Sequence, residues 1–267
     1  MTTREQRSPV VLVTGASRGI GLATARLFAA QGYRVYTLSR SAGSDAALSH
    51  LTADVSDPAQ VRSAMDEILA REGCIDILVN NAGFGISGAV EFTGLEDAKR
   101  QLDVNFFGGF LCAQAVLPYM RRQGFGRIIN VSSVAGVIAI PFQSFYSAAK
   151  AAQNAFTLAL ANEVRELNIH VSALMPGDVK TSFTSAREKS PRGGDVYPHM
   201  ASAIATMERD EQSGLAPEFI AKCILRIARK RHPKPLYASG LRYSALVLLS
   251  RWLPARLVNF LVWRIYQ

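Results

Sequence analysis

A glycine-rich turn held between a strand and a helix constrains this chain more than any other feature. Val10-Val-Leu-Val13 is a continuous apolar run, the pattern of a strand buried on both faces. Thr14-Gly-Ala-Ser-Arg-Gly-Ile-Gly21 follows at once. A helical pattern through Leu22, Ala25, Leu27 and Phe28 comes next, closed by Gly32, and then a second strand, Tyr33 to Leu38. Strand, turn, helix and strand make a right-handed βαβ unit.

The alternation continues downstream. His50–Ala53 reads as strand, Val61–Ala70 as helix and Ile75–Val79 as strand; Leu95–Met120 reads as one long helix or two. Arg127–Val131 is a strand, Ser144–Leu167 a helix and His170–Leu174 a strand. This order predicts an α/β fold: a doubly wound parallel sheet of the Rossmann type, covered on both faces. At 267 residues and 49% hydrophobic, the chain can bury a large core as one domain, read as residues 1–240 with a helical tail over 241–267. Two segments depart from the pattern. Ser41-Ala-Gly-Ser44 opens the stretch between Arg40 and Asp54, so any helix there is very short. Residues 178–215 are long and irregular, with Ser190-Pro-Arg-Gly-Gly-Asp195 at their centre, and are a candidate substrate lid.

The first turn carries chemistry as well as topology. Gly15, Gly19 and Gly21, with Ser17, Arg18 and Ile20 between them, let the backbone approach a pyrophosphate. The helix that follows supplies amide donors and a favourable dipole. A carboxylate at the end of the second strand would hold the ribose hydroxyls of NAD. Ser39 and Arg40 stand there instead. The guanidinium groups of Arg18 and Arg40 would favour a 2′-phosphate, so the expected cofactor is NADP(H). Solvated surface arginines are the alternative.

Tyr146 and Lys150 lie four residues apart on a predicted helix, stacked on one face. A phenol ordinarily titrates near pH 10, and a nearby ammonium lowers that value. The pair could then serve as a proton donor and acceptor near neutral pH.

The remaining composition narrows the function. Residues 1–216 hold 20 Lys/Arg and 20 Asp/Glu, whereas residues 217–267 hold 10 Lys/Arg against Glu218 alone. That excess sits among Leu, Val and Trp rather than in a polar arm, so no nucleic-acid partner is expected. Cys74, Cys112 and Cys223 have no metal-ligand spacing and read as buried reduced thiols, with no metal site. The first nine residues include Arg4, Glu5 and Arg7 and no apolar stretch, unlike a secretory signal, and a cytoplasmic location is expected. His170, at a strand start, reads as structural; His199 falls in the lid, where it could touch substrate.

The glycine turn, Asp54-Val55, Asn80-Asn-Ala-Gly83, Asn105, Ser133, Tyr146-x3-Lys150 and Pro176-Gly177 occur in the order shown by the short-chain dehydrogenases/reductases. Over roughly residues 8–181 the chain resembles that family, in particular its NADP-preferring hydroxysteroid- and retinol-dehydrogenase-like members. The resemblance implies that Tyr146 is the general acid in ketone reduction and the base in alcohol oxidation. It implies that Lys150 tunes Tyr146 and binds the nicotinamide ribose, that Ser133 holds the substrate oxygen, and that Asn105 anchors a water behind Lys150. Asp54 and Val55 would touch the adenine. Asn81, Ala82 and Gly83 would line the cofactor floor. Pro176, Gly177, Val179 and Thr181 would clasp the nicotinamide amide. Plainer roles stay open: Asp54 in a helix-entry turn, Asn105 as a buried brace, Ser133 as a turn cap. A homodimer or homotetramer packed through the Ala-rich Tyr146–Ala161 helix is the assembly the resemblance suggests.

The segments expected around the reacting carbon are apolar. They include Phe84, Ile138, Phe142 and Phe183, along with Gly85, Ile86, Val137, Ile140 and Pro141. Tyr197, Met200, Ile204 and Met207 of the lid join them, and no Arg or Lys is placed to clamp a substrate anion. Such a pocket suits a lipophilic alcohol or ketone of steroid, retinoid or fatty type. The alternatives are a 3-ketoacyl thioester, with Arg121 and Arg122 meeting an acidic carrier protein, and a non-catalytic dinucleotide sensor or scaffold. In residues 241–267, Pro254 separates two short helices in which Arg242, Arg251, Arg256 and Arg264 alternate with Trp252, Phe260, Trp263 and Tyr266. Their apolar runs fall short of the ~20 residues that span a bilayer. The tail could lie peripherally on a membrane, cover the substrate entrance, or form a subunit interface.

Overall fold

Val10–Thr14 (β1) is buried along its whole length. Its side chains alternate: Val10 and Leu12 join one core cluster, Val11 and Val13 the other. The computed structural model describes residues 7–43, 45–190 and 192–267. Arg4, Glu5, Ser44 and Pro191, used above, lie outside the described residues.

Gly19–Ala30 (α1) leads to Arg34–Ser39 (β2) and, without an intervening helix, to Ser49–Thr52 (β3). Pro58–Glu72 (α2) begins where Asp57 accepts hydrogen bonds from the amides of Ala59 and Gln60. It ends at Gly73 in the left-handed region (φ +70°), which other residues adopt only with strain. Ile77–Asn80 (β4) and the two-residue Ile86–Ser87 (β5) follow.

Of the two readings of residues 95–120, the structure has two helices, Leu95–Leu102 (α3) and Gly108–Gln123 (α4), joined by a π-helical turn over Asp103–Phe107. Gly126–Val131 (β6), Ser144–Glu163 (α5) and Ile169–Met175 (β7) agree with the sequence reading to within a few residues.

The sheet order is β3-β2-β1-β4-β6-β7-β9, parallel at every pairing, with Leu236–Ala238 (β9) at its edge beside β7. The order reverses between β1 and β4, and such a crevice at the carboxyl ends of the strands is where ligands bind in open α/β sheets. α1 and Pro217–Arg229 (α7) cover one face through Phe28, Ile220 and Ile224. α2, α4 and α5 cover the other through Met65, Val116 and Leu160. Each such side chain contributes about 1.5–3 kcal/mol by leaving water.

The lid is less irregular than expected. It pairs Glu188–Lys189 (β8) with β5 and carries the helix Met200–Gln212 (α6). The tail folds as Gly240–Trp252 (α8) and Ala255–Ile265 (α9), broken at Pro254 as read. Among the described residues no helix is long and apolar enough to cross a membrane, and no cluster of potential metal ligands occurs. Cys74 and Cys112 are buried, but Cys223 is only half-buried.

Candidate active site

A cavity of about 1080 Å³ opens along the carboxyl edge of the sheet. One end is the glycine turn. Gly15 (φ +64°) must lack a side chain, because a Cβ there would meet the Ala82 backbone at 2.6 Å. Gly19 (φ +58°) faces Thr181 across the gap, 3.5 Å from where its own Cβ would stand. Gly21 does not line the cavity; its Cβ would collide with Asn81 Nδ2 and the Gly15 carbonyl oxygen, both at 2.5 Å. Thr14, which drew no attention in the sequence, shapes this end. Its Oγ1 accepts from the amides of Asn81 (3.0 Å) and Ala82 (3.1 Å), tying β1 to β4.

No side chain caps the N-terminus of α1, so its first amides are open to the cavity. Ser17, Arg18 and Ile20 line this end, with Ser39 and Arg40 beside them. Arg18 and Arg40 are exposed, and among the described residues neither forms an ion pair. Asp54 and Val55 line the same region, with Asn81, Ala82 and Gly83 below. Asp54 does take part in a turn as well, accepting from Ser56 N (2.9 Å) and Oγ (2.6 Å).

Ser133, Tyr146 and Lys150 meet in the middle of the cavity wall. Gly136 makes this possible: a Cβ there would lie 2.7 Å from the Lys150 backbone, so the Ser133 loop can press onto α5. Ser133 caps the turn that follows, its Oγ accepting from Ala135 N at 3.1 Å, and its hydroxyl faces the Tyr146 phenol. Ser132 is buried and donates to the Lys150 carbonyl.

Lys150 Nζ lies 5.8 Å from the Tyr146 ring centre and donates to the Val131 carbonyl (2.8 Å) and Gln153 Oε1 (3.3 Å). Burial pushes the Lys150 ammonium down to about 8. Burial also pushes the Tyr146 phenol up to about 12, opposed by the Ser133 hydroxyl and by Arg187 and reinforced by Glu211 and Asp178. Desolvation penalises the phenolate, and the charge of Lys150 is itself costly to bury.

Gln153, also missed in the sequence, links Lys150 to a buried chain. Its carbonyl accepts from Thr157 Oγ1 (2.8 Å), which accepts from Asn130 Nδ2 (2.8 Å), whose Oδ1 accepts from Asn80 (2.9 Å). It sits seven residues after Tyr146 on the same helix face, and that spacing was the available signal. Asn105 lies behind the cavity in the π turn. Its amide is used on both sides by Phe84, accepting from Phe84 N (3.0 Å) and donating to Phe84 O (2.8 Å).

The substrate half departs most from expectation. Phe84, Ile138 and Phe183 line the cavity, with the Phe183 ring 5.7 Å from Tyr146. Phe142 does not: its backbone takes a positive φ (59°) and its ring packs edge-on against Tyr197, away from the site. Tyr197, Met200, Ile204 and Met207 belong to that same small core beneath α6, and His199 does not reach the cavity either.

The reading that no cation stands near is also corrected, since Arg242 and Arg264 line the cavity with Asp178, Asp210 and Glu211. The Arg187 side chain is wholly buried within the lid, paired with Glu211, to which Thr184 also donates at 2.6 Å. With the Gln143 amide oxygen turned toward it, Arg187 gains two further acceptor contacts of 3.1 Å. Pro176, Gly177, Val179 and Thr181 form the lip below. Tyr243 and Leu246 of α8, Val262 of α9 and Tyr266 just after it close the far wall, so the tail covers the substrate end. Arg121 and Arg122 lie at the end of α4 that precedes β6, the opposite edge of the sheet from the cavity.

Residues 9–192 match the short chain dehydrogenase family. The chain belongs to that family. It is 37% identical over 256 residues to a 3-ketodihydrosphingosine reductase of Bacteroides thetaiotaomicron, covering 94% of this chain and 95% of the relative. A short-chain dehydrogenase from Streptomyces avermitilis shares its fold with a TM-score of 0.81 and 29% identity, covering 91% of this chain and 92% of that one. One from Burkholderia phymatum, solved in complex with NAD, gives a TM-score of 0.79 at 26% identity over 92% of this chain and 94% of its own. As a short-chain dehydrogenase the protein is an oxidoreductase acting on a carbonyl or alcohol carbon.

Proposed function

We propose that this protein transfers hydride between NADP(H) and the carbonyl or secondary alcohol of a lipophilic substrate, running as a reductase of a long-chain ketone. One observation carries the reading. Ser133, Tyr146 and Lys150 share a single cavity that has an uncapped helix N-terminus at one end and an apolar helical wall at the other. The likeness to the Bacteroides 3-ketodihydrosphingosine reductase points the same way, toward a ketone on a long chain rather than a steroid or retinoid.

The residues present fit a nicotinamide dinucleotide. The missing Cβ of Gly19 and the open amides of α1 leave a cradle for a pyrophosphate. Arg18 and Arg40 would hold the 2′-phosphate, Asp54 and Val55 the adenine, and Asn81 to Gly83 the floor. Lys150 would hold the nicotinamide ribose, and Pro176, Gly177, Val179 and Thr181 its amide. When bound there, NADPH supplies the hydride.

Tyr146 delivers the proton to the substrate oxygen. The phenol is protonated at neutral pH, the form an acid needs at the start of a reduction. The Ser133 hydroxyl donates to the same oxygen and steadies the charge that develops on it. Asn105, whose side-chain amide is held by Phe84, would anchor a relay water behind Lys150. The helices α8 and α9 keep water from the reacting atoms. Assembly through α5, where Leu158 is exposed, would suit a homodimer or homotetramer, and residues 241–267 would give it peripheral membrane contact.

The thioester alternative loses Arg121 and Arg122, which stand at the wrong edge of the sheet, and would have to meet its acidic carrier through Arg242 and Arg264 instead. NADPH consumption across steroid, retinoid, aliphatic and acyl-thioester carbonyls tests the reading, with Tyr146→Phe alongside. A long-chain ketone should be consumed by the wild type only, with NADPH binding kept in the variant. Turnover by Tyr146→Phe, or no consumption of any carbonyl, would overturn it.

A further inference from the structure

The tail helices α8 and α9 have two apolar sides, and only one of them faces the protein. Val247 and Val262 are buried, and Tyr243 and Tyr266 point into the cavity. On the other side Trp252 is 82% exposed and Leu248 59%, with Phe260 and Trp263 exposed and stacked together at 5.6 Å. None of these four lines the cavity. Between the two sides stands a third set. Leu246, Leu249, Leu261 and Ile265 line the cavity and are also open to solvent, Leu249 at 52% and Ile265 at 60%. They form a rim, so an apolar surface runs without interruption from the outside of the tail into the catalytic cavity.

Charge decides what meets this surface. Arg242, Arg251, Arg256 and Arg264 are exposed, and residues 241–267 contain no acidic residue. Among the described residues none of the four forms an ion pair. A second copy seated here would bring both sets of arginines together with no counter-charge. An anionic bilayer surface supplies that charge and takes Trp, Phe and Leu below its headgroups. Neither helix is long enough to cross, so the seat lies in the interface, with the arginines reaching the headgroups.

We propose that α8 and α9 dock on an anionic membrane surface and form a portal through which a lipid-borne ketone passes over Leu249 and Ile265 to Tyr146. The proposal rests on the reading of the substrate as a lipophilic ketone and adds its source and route.

Full-length protein is tested with vesicles of phosphatidylcholine alone and of phosphatidylcholine mixed equally with phosphatidylserine. The variant Trp252→Ser/Trp263→Ser removes two outer side chains that do not touch the cavity. The wild type should pellet with the mixed vesicles, release in high salt, and pellet poorly with phosphatidylcholine alone. The variant should lose about ten-fold in that partitioning. With a long-chain ketone carried in mixed vesicles its KM should rise by a similar factor at unchanged kcat, while turnover of a short water-soluble ketone stays at the wild-type level.

Equal pelleting of variant and wild type would overturn the docking. Loss of dimer by the variant in sedimentation, without vesicle binding by the wild type, would instead make the surface a contact between copies and overturn it as well. Unchanged KM for the vesicle-borne ketone despite lost pelleting would overturn the portal. Failure to consume either ketone with NADPH would sink the functional reading, and the portal with it, while the pelleting result still judges the docking.

Discussion

The Tyr243 ring rests directly on Gly177: a Cβ at residue 177 would lie 2.1 Å from its ring carbons. The same tyrosine donates its hydroxyl to Asp178 Oδ2 at 2.7 Å and accepts from Asp178 N at 3.1 Å. The tail is therefore clasped to the strand-end loop that forms the lip of the cavity, at the step between the cofactor half and the substrate half.

Gly177→Ala drives a methyl group into that ring, and overpacking of this kind costs about 1–3 kcal/mol. A lower thermal midpoint and a raised KM for a long-chain ketone are expected. Tyr243→Phe keeps the ring and loses only the hydroxyl bonds, so its stability should fall by about 1 kcal/mol. Calorimetry on the two variants separates packing from hydrogen bonding; equal effects would refute the packing account.

Glu211→Gln should destabilise the protein by about 3–5 kcal/mol, because it leaves the buried Arg187 guanidinium without its carboxylate. Replacing both partners, Arg187→Met with Glu211→Leu, should restore much of that loss. Urea unfolding of the single and double variants gives the coupling directly. A single variant as stable as the wild type would show that the pair does not hold the lid.

Lys150 contributes a stability term whose sign runs opposite to an ordinary ion pair. Its folded value near 8 lies below the ordinary 10.5, so between these pH values the unfolded chain binds more protons. The buried ammonium costs most below pH 8, and stability recovers as pH rises toward 10.5. Unfolding free energy of the wild type minus that of Lys150→Met should therefore climb across this window. Tyr146, raised from 10.0 to about 12, acts in the other direction only above pH 10.0. A flat difference would mean that Lys150 is not desolvated.

Arg40→Asp places a carboxylate at the end of β2, where the family resemblance puts the adenosine ribose. Efficiency with NADPH should drop by at least about ten-fold while that with NADH holds or rises, since each ten-fold corresponds to about 1.4 kcal/mol of binding. Paired kcat/KM values for the two cofactors decide it. An unchanged ratio would return Arg40 to the status of a surface charge.

The strands and helices that carry the sheet were legible because each is buried by its own periodicity: β1 is apolar from Val10 to Val13, and α5 keeps Tyr146 and Lys150 on one face. β9 was not, since Leu236–Ala238 is three half-buried residues at a sheet edge, too short for any pattern. The amphipathic α7 passed unread, though Pro217 marks its first turn. Met200, Ile204 and Met207 looked like pocket residues because apolarity does not say which cavity a helix faces. Phe142 was misplaced for a backbone reason, its positive φ. The Tyr146 titration could not be read from spacing, because burial is set by α5, the lid and the tail together.

Residues 243–266 complete the cavity, and a ribosome adds them after every strand of the sheet has been made. A nascent chain that has reached β9 already possesses its glycine turn and Ser133, Tyr146 and Lys150. Its reaction chamber is still an open trough at that stage. The substrate end thus gains its far wall only from the two helices that the chain places last.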